Sequence, residues 1–453
     1  MANKPQLFGT DGVRGVAGHF PLDAETVWKL GRAFGMVLGK EASVPSLRVV
    51  LGEDTRESSG WISRALASGL RSGGVEVTYA GVLTTPGVAF LTRHHGFAAG
   101  VVVSASHNPY EDNGIKILSA SGMKLPETVE LEIERALARS GSAGREGSDA
   151  PLEPAPQLLN DYLGFLSGLV PDGARLSRFR LVADCAHGAA SRVVPDLLKR
   201  LGIEARVLHA APSGRNINLG CGSLHPEIMG QETKASAADL GVAFDGDVDR
   251  AVFATREGRI ADGDHVLYAC ARHLHQSKSL RGASVVGTLM TNLGLELALG
   301  RHGIALKRTA VGDKYVLEEM LRSGINLGGE PSGHIIFSDI SLAGDGLITL
   351  LQVLRLLDET GESLEELVRG LKQFPQIIRN VRVRKKPPLE SIPGIAQVIS
   401  ECERDFGERG RVVVRYSGTE KVARVMVEAE EAEAVERHAA RIATAIDSAL
   451  GPR

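Results

Sequence analysis

The sequence predicts an α/β protein. Three related α/β domains, each a βαβ repeat with a mixed sheet, are followed by a C-terminal α+β domain, all set around a central cleft. Three observations predict this. A strand–helix–strand pattern occurs three times, at Arg48–Tyr79, Arg180–Leu208 and Ala283–Arg308. Each copy leads to a further strand ending in a polar loop, and the three loops differ in chemistry. Beyond Pro375 the pattern changes to strands followed by one long amphipathic helix. At 453 residues the chain exceeds what one hydrophobic core supports, which agrees with several domains.

The first copy opens with Arg48-Val49-Val50-Leu51-Gly52, an apolar β-branched strand. A loop at Glu53-Asp54-Thr55-Arg56, a helix to about Arg71, Gly73-Gly74 and a strand from Val75 to Tyr79 follow. The second runs from the strand Arg180–Asp184 through a helix ending at Arg200 and Gly202 to a strand at Ile203–Leu208. The third has a strand at Ala283–Gly287, a helix ending at Arg301, Gly303, and a strand at Ile304–Arg308. In each, glycine falls just past the helix, where a left-handed cap favours it. A strand–helix–strand unit of this length is a crossover between parallel strands.

The next strands carry the polar loops. Val101-Val102-Val103 stops at Ser104-Ala105-Ser106-His107-Asn108-Pro109, with Lys116 after a turn. Gly241–Phe244 runs into Asp245-Gly246-Asp247-Val248-Asp249-Arg250. Ile325-Asn326-Leu327 runs into Gly328-Gly329-Glu330-Pro331-Ser332-Gly333-His334. Open α/β sheets gather their chemistry at strand ends, so three such loops imply one shared cleft. The Gly-, Ser-, Ala- and Pro-rich stretch Ser140–Pro156, the turn at Glu257-Gly258 and Gln373-Phe374-Pro375 read as boundaries. The expected domains are 1–150, 157–257, 258–372 and 376–453. In the last, Arg411–Arg415 and Arg424–Glu430 read as strands and Glu431–Leu450 as a helix.

Composition narrows the function. A hydrophobic fraction of 43% is that of a soluble globular protein. A net charge of −3 gives no basic surplus to attract nucleic acid, and 4% aromatic residues leave few stacking platforms. The four cysteines are dispersed without a C-x-x-C pair, which argues against disulfides and thiolate zinc and fits a reducing compartment. No apolar signal region opens the chain and no apolar run reaches the ~18 residues of a membrane span. The expectation is a cytoplasmic enzyme, monomer or homodimer, without nucleic-acid or membrane partners.

Each loop has a bland and a chemical reading. The Ser106 loop is either a polar turn capped by its serines or a serine carrying a transferable group, with His107 and Lys116 nearby. Asp245, Asp247 and Asp249 alternate, so an extended segment would aim all three to one face. Three carboxylates that close repel unless a cation joins them, and hard oxygens suit Mg²⁺. An EF-hand fits poorly, since Arg250 stands where its loop needs Gly. His334 could carry a proton near neutral pH. Arg415-Tyr416-Ser417-Gly418-Thr419-Glu420, with Lys421 and Arg424, offers an anion nest flanked by arginines, or a plain hairpin turn.

The whole string Ser104–Pro109 resembles the active-serine loop of the α-D-phosphohexomutases. Asp245–Arg250 resembles that family's D-G-D-x-D-R metal loop, Gly329–His334 its sugar loop, and Arg415–Glu420 its phosphate loop. Phe8-Gly9-Thr10-Asp11-Gly12-Val13-Arg14-Gly15 and Val311-Gly312-Asp313-Lys314-Tyr315-Val316 are similar to motifs of the phosphoglucosamine mutase branch. The motifs stand in the family's order and the resemblance covers the whole chain. Pro331 departs from the residues usual in the sugar loop, and Lys421 stands where proline is usual.

The resemblance implies an isomerase that interconverts glucosamine 6-phosphate and glucosamine 1-phosphate and feeds UDP-N-acetylglucosamine synthesis. Ser106 would carry the phosphoryl group, with one Mg²⁺ on Asp245, Asp247, Asp249 and phosphorylated Ser106. Arg14 and Lys116 would offset transferring charge, and the general base is open among His107, Lys116 and His334. Glu330 and Ser332 would hold sugar hydroxyls, with Arg250 beside them. Arg415, Ser417, Gly418, Thr419 and Arg424 would hold the existing phosphate. Glucosamine 1,6-bisphosphate would be both intermediate and phosphorylating activator. A phosphomannomutase or phosphoglucomutase, a magnesium-dependent sugar-phosphate phosphatase and a non-catalytic sugar-phosphate binding protein remain as alternatives.

Overall fold

The structure is a computed structural model that describes residues 5–9, 11–41, 47–139, 151–417 and 421–452. Gly418 and Thr419, two of the expected phosphate ligands, lie outside the described residues.

Four sheets form the framework. The first holds β1 (Phe8–Gly9), β2 (Gly12–Val16), β3 (Arg48–Glu53), β4 (Glu76–Val82), β5 (Ala99–Val103) and β6 (Asp112–Ser119), in the order β1-β2-β6-β5-β3-β4. The second holds β7 (Arg180–Asp184), β8 (Glu204–Leu208), β9 (Leu240–Phe244), β10 (Ala251–Ala254) and β11 (Ile260–Ala261), ordered β11-β10-β9-β7-β8. It thus continues past the turn at Glu257-Gly258 to Ala261. The third holds β12 (Ser284–Thr288), β13 (Ala305–Thr309), β14 (Leu327–Gly329) and β15 (Ile335–Phe337), ordered β13-β12-β14-β15. The fourth is an antiparallel sheet of β16 (Gln376–Arg382), β17 (Gly410–Tyr416) and β18 (Val422–Ala429), with β18 central.

The three repeats share one topology. β3, β7 and β12 pair in parallel with β4, β8 and β13 through a crossover helix. The chain then crosses back, and β5, β9 and β14 pair in parallel on the other side of the same strand. An antiparallel strand, β6, β10 or β15, follows directly. Each of these three sheets is therefore mixed, and each of their polar loops links the last parallel strand to its antiparallel neighbour. The glycines past the crossover helices are left-handed at Gly74, Gly202 and Gly303, as the pattern requires.

Three elements differ from expectation. The third polar-loop strand is Leu327–Gly329 rather than Ile325–Leu327, because the Ile325 N–H is spent on the Met320 carbonyl of the preceding helix at 3.0 Å instead of on a ladder. In the last part, the strand Gln376–Arg382 and the helix Pro393–Phe406 were not foreseen. Its apolar residues Ile377, Ile378 and Val381 are broken up by Arg379 and Asn380 and do not alternate, which hides its period.

One continuous apolar core runs through the first three units, from Val50, Leu83 and Val88 through Tyr162, Leu181 and Val242 to Val285 and Leu347. The helix Pro156–Gly168 stitches the first to the second with five buried residues. A second cluster lies on the other face of the first sheet, and the fourth unit encloses its own.

Candidate active site

Ser106 lies in the β5–β6 loop, buried, with φ +52°. That is the left-handed region, which costs a non-glycine residue about 1–3 kcal/mol. Its hydroxyl donates to Asp245 Oδ2 at 2.5 Å and stands 3.3 Å from His107 Nδ1. Gly246 permits this approach: a Cβ there would lie 2.5 Å from the Ser106 carbonyl oxygen.

Asp245, Asp247 and Asp249 converge, with donor oxygens all within 4.8 Å of one another. The route differs from the predicted alternation. An extended segment separates residues two apart by about 6.6 Å. Here the chain turns: the Val248 N–H donates to the Asp245 carbonyl at 3.2 Å, and Val248 is left-handed at φ +66°. Burial, then the charges of Asp249 and Asp247, push the Asp245 carboxyl well above the usual range. Asp247 Oδ1 and Asp249 Oδ1 are buried and have no hydrogen-bond partner among the described residues. A hard divalent cation would relieve both the repulsion and the orphaned oxygens, so the donor set fits one.

Lys116, on β6, is buried among these acids. Its Nζ lies 2.8 Å from Asp247, 3.0 Å from Asp11 and 3.9 Å from Asp249. Burial opposes its charge, but Asp11, Asp247 and Asp249 outweigh burial and hold the ammonium well above its usual range. Asp11 also pairs with Arg14 and, at 2.8 Å, with Lys124. Lys124 in turn reaches Asp313 at 2.8 Å. Alternating charges thus run Asp313–Lys124–Asp11–Lys116–Asp247 across all three repeats. Arg14 is placed by the β2–β6 pairing, opposite Gly114.

The β14–β15 loop closes on the same point. His334 is buried with Nδ1 3.7 Å from Asp249 Oδ2. Burial disfavours its charge, yet Asp249, with Asp313 and Glu330 behind it, raises its pKa. Gly344 lies under the ring, where a Cβ would come within 2.2 Å of Nε2. Glu330 accepts from the Gly312 N–H at 3.1 Å, and the Ser332 hydroxyl is buried without a partner among the described residues. Pro331 accepts from the Gly263 N–H at 3.1 Å through its carbonyl. The Arg250 N–H donates to Asp245 at 3.2 Å, and its guanidinium stands 3.8 Å from Asp249. Burial, then Arg250 and Arg14, lower the His107 pKa to about 4.

A cavity of about 510 Å³ adjoins these groups. Asp11, Lys116, Asp249 and His334 supply polar wall, while Leu118, Leu125, Leu317, Ile336 and Leu342 supply apolar wall.

Comparison with known proteins covers nearly the whole chain. Residues 5–143, 161–258 and 262–374 match the phosphoglucomutase/phosphomannomutase α/β/α domains I, II and III, and residues 379–445 match the C-terminal domain IV. The chain belongs to the phosphoglucomutase/phosphomannomutase family. It is 50% identical to the phosphoglucosamine mutase of Koribacter versatilis over 98% of this chain and 97% of that one. It is 48% identical to the phosphoglucosamine mutase of Solibacter usitatus over 98% and 99%. A family protein from Burkholderia thailandensis superposes with a TM-score of 0.79 at 25% identity, covering 99% and 98% of the two chains.

In this phosphohexomutase, domain IV carries its part separately. Arg415 on β17 pairs directly with Arg424 on β18, so both side chains leave the same face. Like charges placed opposite are unfavourable alone and favourable around an anion. Ser417 follows, its carbonyl accepting from Lys386 Nζ at 2.6 Å. The hydrogen bonds between domains III and IV sit at the opposite end of the sheet, at Glu428 and Arg411. The structure therefore unites the predicted residues of the first three domains and sets Arg415, Ser417 and Arg424 apart on the fourth.

Several neighbours escaped sequence reasoning. Asp11, Lys124 and Asp313 are charged residues whose partners lie 100 or more positions away, except for Asp11 with Arg14. Lys386 was signalled by the basic run Arg384-Lys385-Lys386. Asn218, whose side-chain amide donates to the Ser106 carbonyl at 2.9 Å, carried no local signal.

Proposed function

We propose that the chain acts as a phosphoglucosamine mutase, interconverting glucosamine 6-phosphate and glucosamine 1-phosphate through a phosphoserine at Ser106. The observation that carries this reading is the 2.5 Å contact that sets the buried Ser106 hydroxyl on the first of three converged carboxylates. The names of the full-length relatives support the choice of sugar.

In the reading proposed, the phosphoryl group on Ser106 Oγ passes to the free hydroxyl of the bound sugar phosphate. A P–O bond forms on the sugar as the Oγ–P bond breaks, and the hydroxyl proton moves to the serine oxygen. His107, kept neutral and 3.3 Å from Oγ, suits the carrier of that proton. Lys116, kept charged, and Arg14 offset charge on the transferring group. Mg²⁺ held by Asp245, Asp247, Asp249 and the Ser106 phosphate would supply Lewis-acid stabilisation there. His334, Glu330, Ser332 and Arg250 hold the sugar, and Arg415, Ser417 and Arg424, with Gly418 and Thr419, hold its standing phosphate. The glucosamine 1,6-bisphosphate turns end for end and returns its other phosphoryl to Ser106. An unphosphorylated enzyme needs priming by such a bisphosphate.

The test combines intact mass with conversion of glucosamine 6-phosphate in Mg²⁺ and a trace of the bisphosphate. One phosphate per chain on Ser106 and formation of the 1-phosphate are expected. Phosphate on Ser106 with turnover of mannose or glucose phosphates only would overturn the sugar assignment. Release of inorganic phosphate without isomerisation would indicate a phosphatase.

A further inference from the structure

The Ser106 loop is gripped from behind by two donors from different domains. Arg56 Nη2 donates to the carbonyls of both Ser106 and Asn108, at 2.9 Å each. Asn218 Nδ2 donates to the same two carbonyls at 2.9 and 3.1 Å. In an extended chain these oxygens would stand about 6.6 Å apart, beyond the reach of one nitrogen. The left-handed turn at Ser106 brings them together, so the clamp and the strained conformation require each other.

Arg56 is itself fixed. It donates to Asp54 at 2.9 Å and to the Pro109 carbonyl at 2.6 Å, and both members of the ion pair are fully buried. Asp54 accepts from the hydroxyls of Ser104 at 2.7 Å and Ser59 at 2.8 Å, and Ser104 Oγ accepts the Ser106 N–H at 3.0 Å. Arg56 follows β3 in domain I. Asn218 comes from domain II, where its own N–H donates to the Ala186 carbonyl at 2.9 Å. Neither side chain donates to the Ser106 hydroxyl or to the three converged carboxylates.

We infer that Arg56 and Asn218 are positioning residues that hold Ser106 in its left-handed conformation for phosphoryl transfer. Through Asn218, that conformation depends on the docking of domain II, which also carries the metal loop. The inference rests on the phosphoserine reading proposed above. Without the clamp, Ser106 can relax toward an extended conformation that swings Oγ away from Asp245. A displacement near 1 Å at a reacting atom costs about 100-fold in rate.

The experiment compares Asn218→Gly and Asn218→Asp with wild type. Glycine accepts the left-handed φ of +58° at this position and removes the donor, while aspartate keeps the size and turns an acceptor on two carbonyls. After priming with glucosamine 1,6-bisphosphate, both variants should reach wild-type phosphate occupancy by intact mass. Single-turnover transfer and kcat should fall about 10- to 100-fold, with KM for glucosamine 6-phosphate within about twofold, and Asn218→Asp should be the slower. Melting temperatures should stay within a few degrees. Arg56→Lys keeps the charge, loses the fork and should show the same kinetic split more strongly.

A kcat for Asn218→Gly within about twofold of wild type overturns the inference. So does a loss that appears in KM or tracks a fall in melting temperature. Wild-type enzyme that never acquires phosphate on Ser106 instead defeats the functional reading beneath it.

Discussion

Domains I to III and domain IV are joined in opposite ways. The first three share one apolar core and are crossed by ion pairs, buried at Lys116–Asp247 and half-buried at Lys124–Asp313. Domain IV has a core of its own around Ile395, Phe406, Val425 and Ile442. Its junction is polar and narrow. Gln376 donates to the Met290 carbonyl at 3.4 Å, the Leu293 N–H donates to Glu428 at 3.0 Å, and Arg411 donates to the Thr291 carbonyl at 2.5 Å. An apolar core fixes parts at ångström precision, whereas a small polar junction permits rotation. The groups proposed for chemistry lie in the fused block, and the groups proposed for phosphate recognition lie on the part attached by one end.

The contrast can be broken by substitution. Ser106→Ala should lower turnover by about 10⁴-fold or more and abolish the phosphate increment in intact mass. Retention of either would remove Ser106 from the centre of the fused block. Chelation of Mg²⁺, or Asp247→Asn, which also withdraws a partner of Lys116, should lower kcat about 100-fold or more. A metal-independent rate would show that the converged carboxylates do another job.

Domain IV should answer differently. Arg415→Ala should cut kcat/KM about 30- to 100-fold, mostly through KM, and leave Ser106 phosphorylation at the wild-type level. A loss confined to kcat would mean that the two parts are not divided as described. The smallest effect is expected at the junction. Glu428 accepts from Arg411 at 2.5 Å as well as from Leu293, and such bonds contribute about 1–3 kcal/mol. Glu428→Gln should change kcat less than about fivefold while speeding hydrogen exchange along β16–β18 and sparing β5–β6. Equal exchange changes in both regions would make the four domains a single cooperative body.

The same division governs what the sequence made legible. The serine loop, the acidic loop and the His334 loop are contiguous strings at strand ends, so their residues could be found by reading along the chain. The three crossover units were visible because strand, helix and glycine cap each leave a local mark. What joins them did not show. Arg56 and Asn218 act on Ser106 from 50 and 112 positions away, and nothing in their neighbours reports it. The convergence of Asp245, Asp247 and Asp249 was foreseen, but its cause was not. A valine in the left-handed region contradicts that residue's own preference and is imposed by tertiary packing. In domain IV the strand β16 was missed because it alternates weakly, being paired only with β18 at the sheet edge.

The position of the junction on the domain IV sheet has a mechanical consequence. Glu428 and Arg424 lie four residues apart along β18, so the arginine pair stands about 13 Å from the pivot. Over that arm a rotation of about 15° carries the arginines through about 3.5 Å, the difference between holding a phosphate oxygen and releasing it. Very little angular travel at one end would therefore open or shut the other, and a hinge bond lost at Glu428 would be felt as a loss of aim at Arg415.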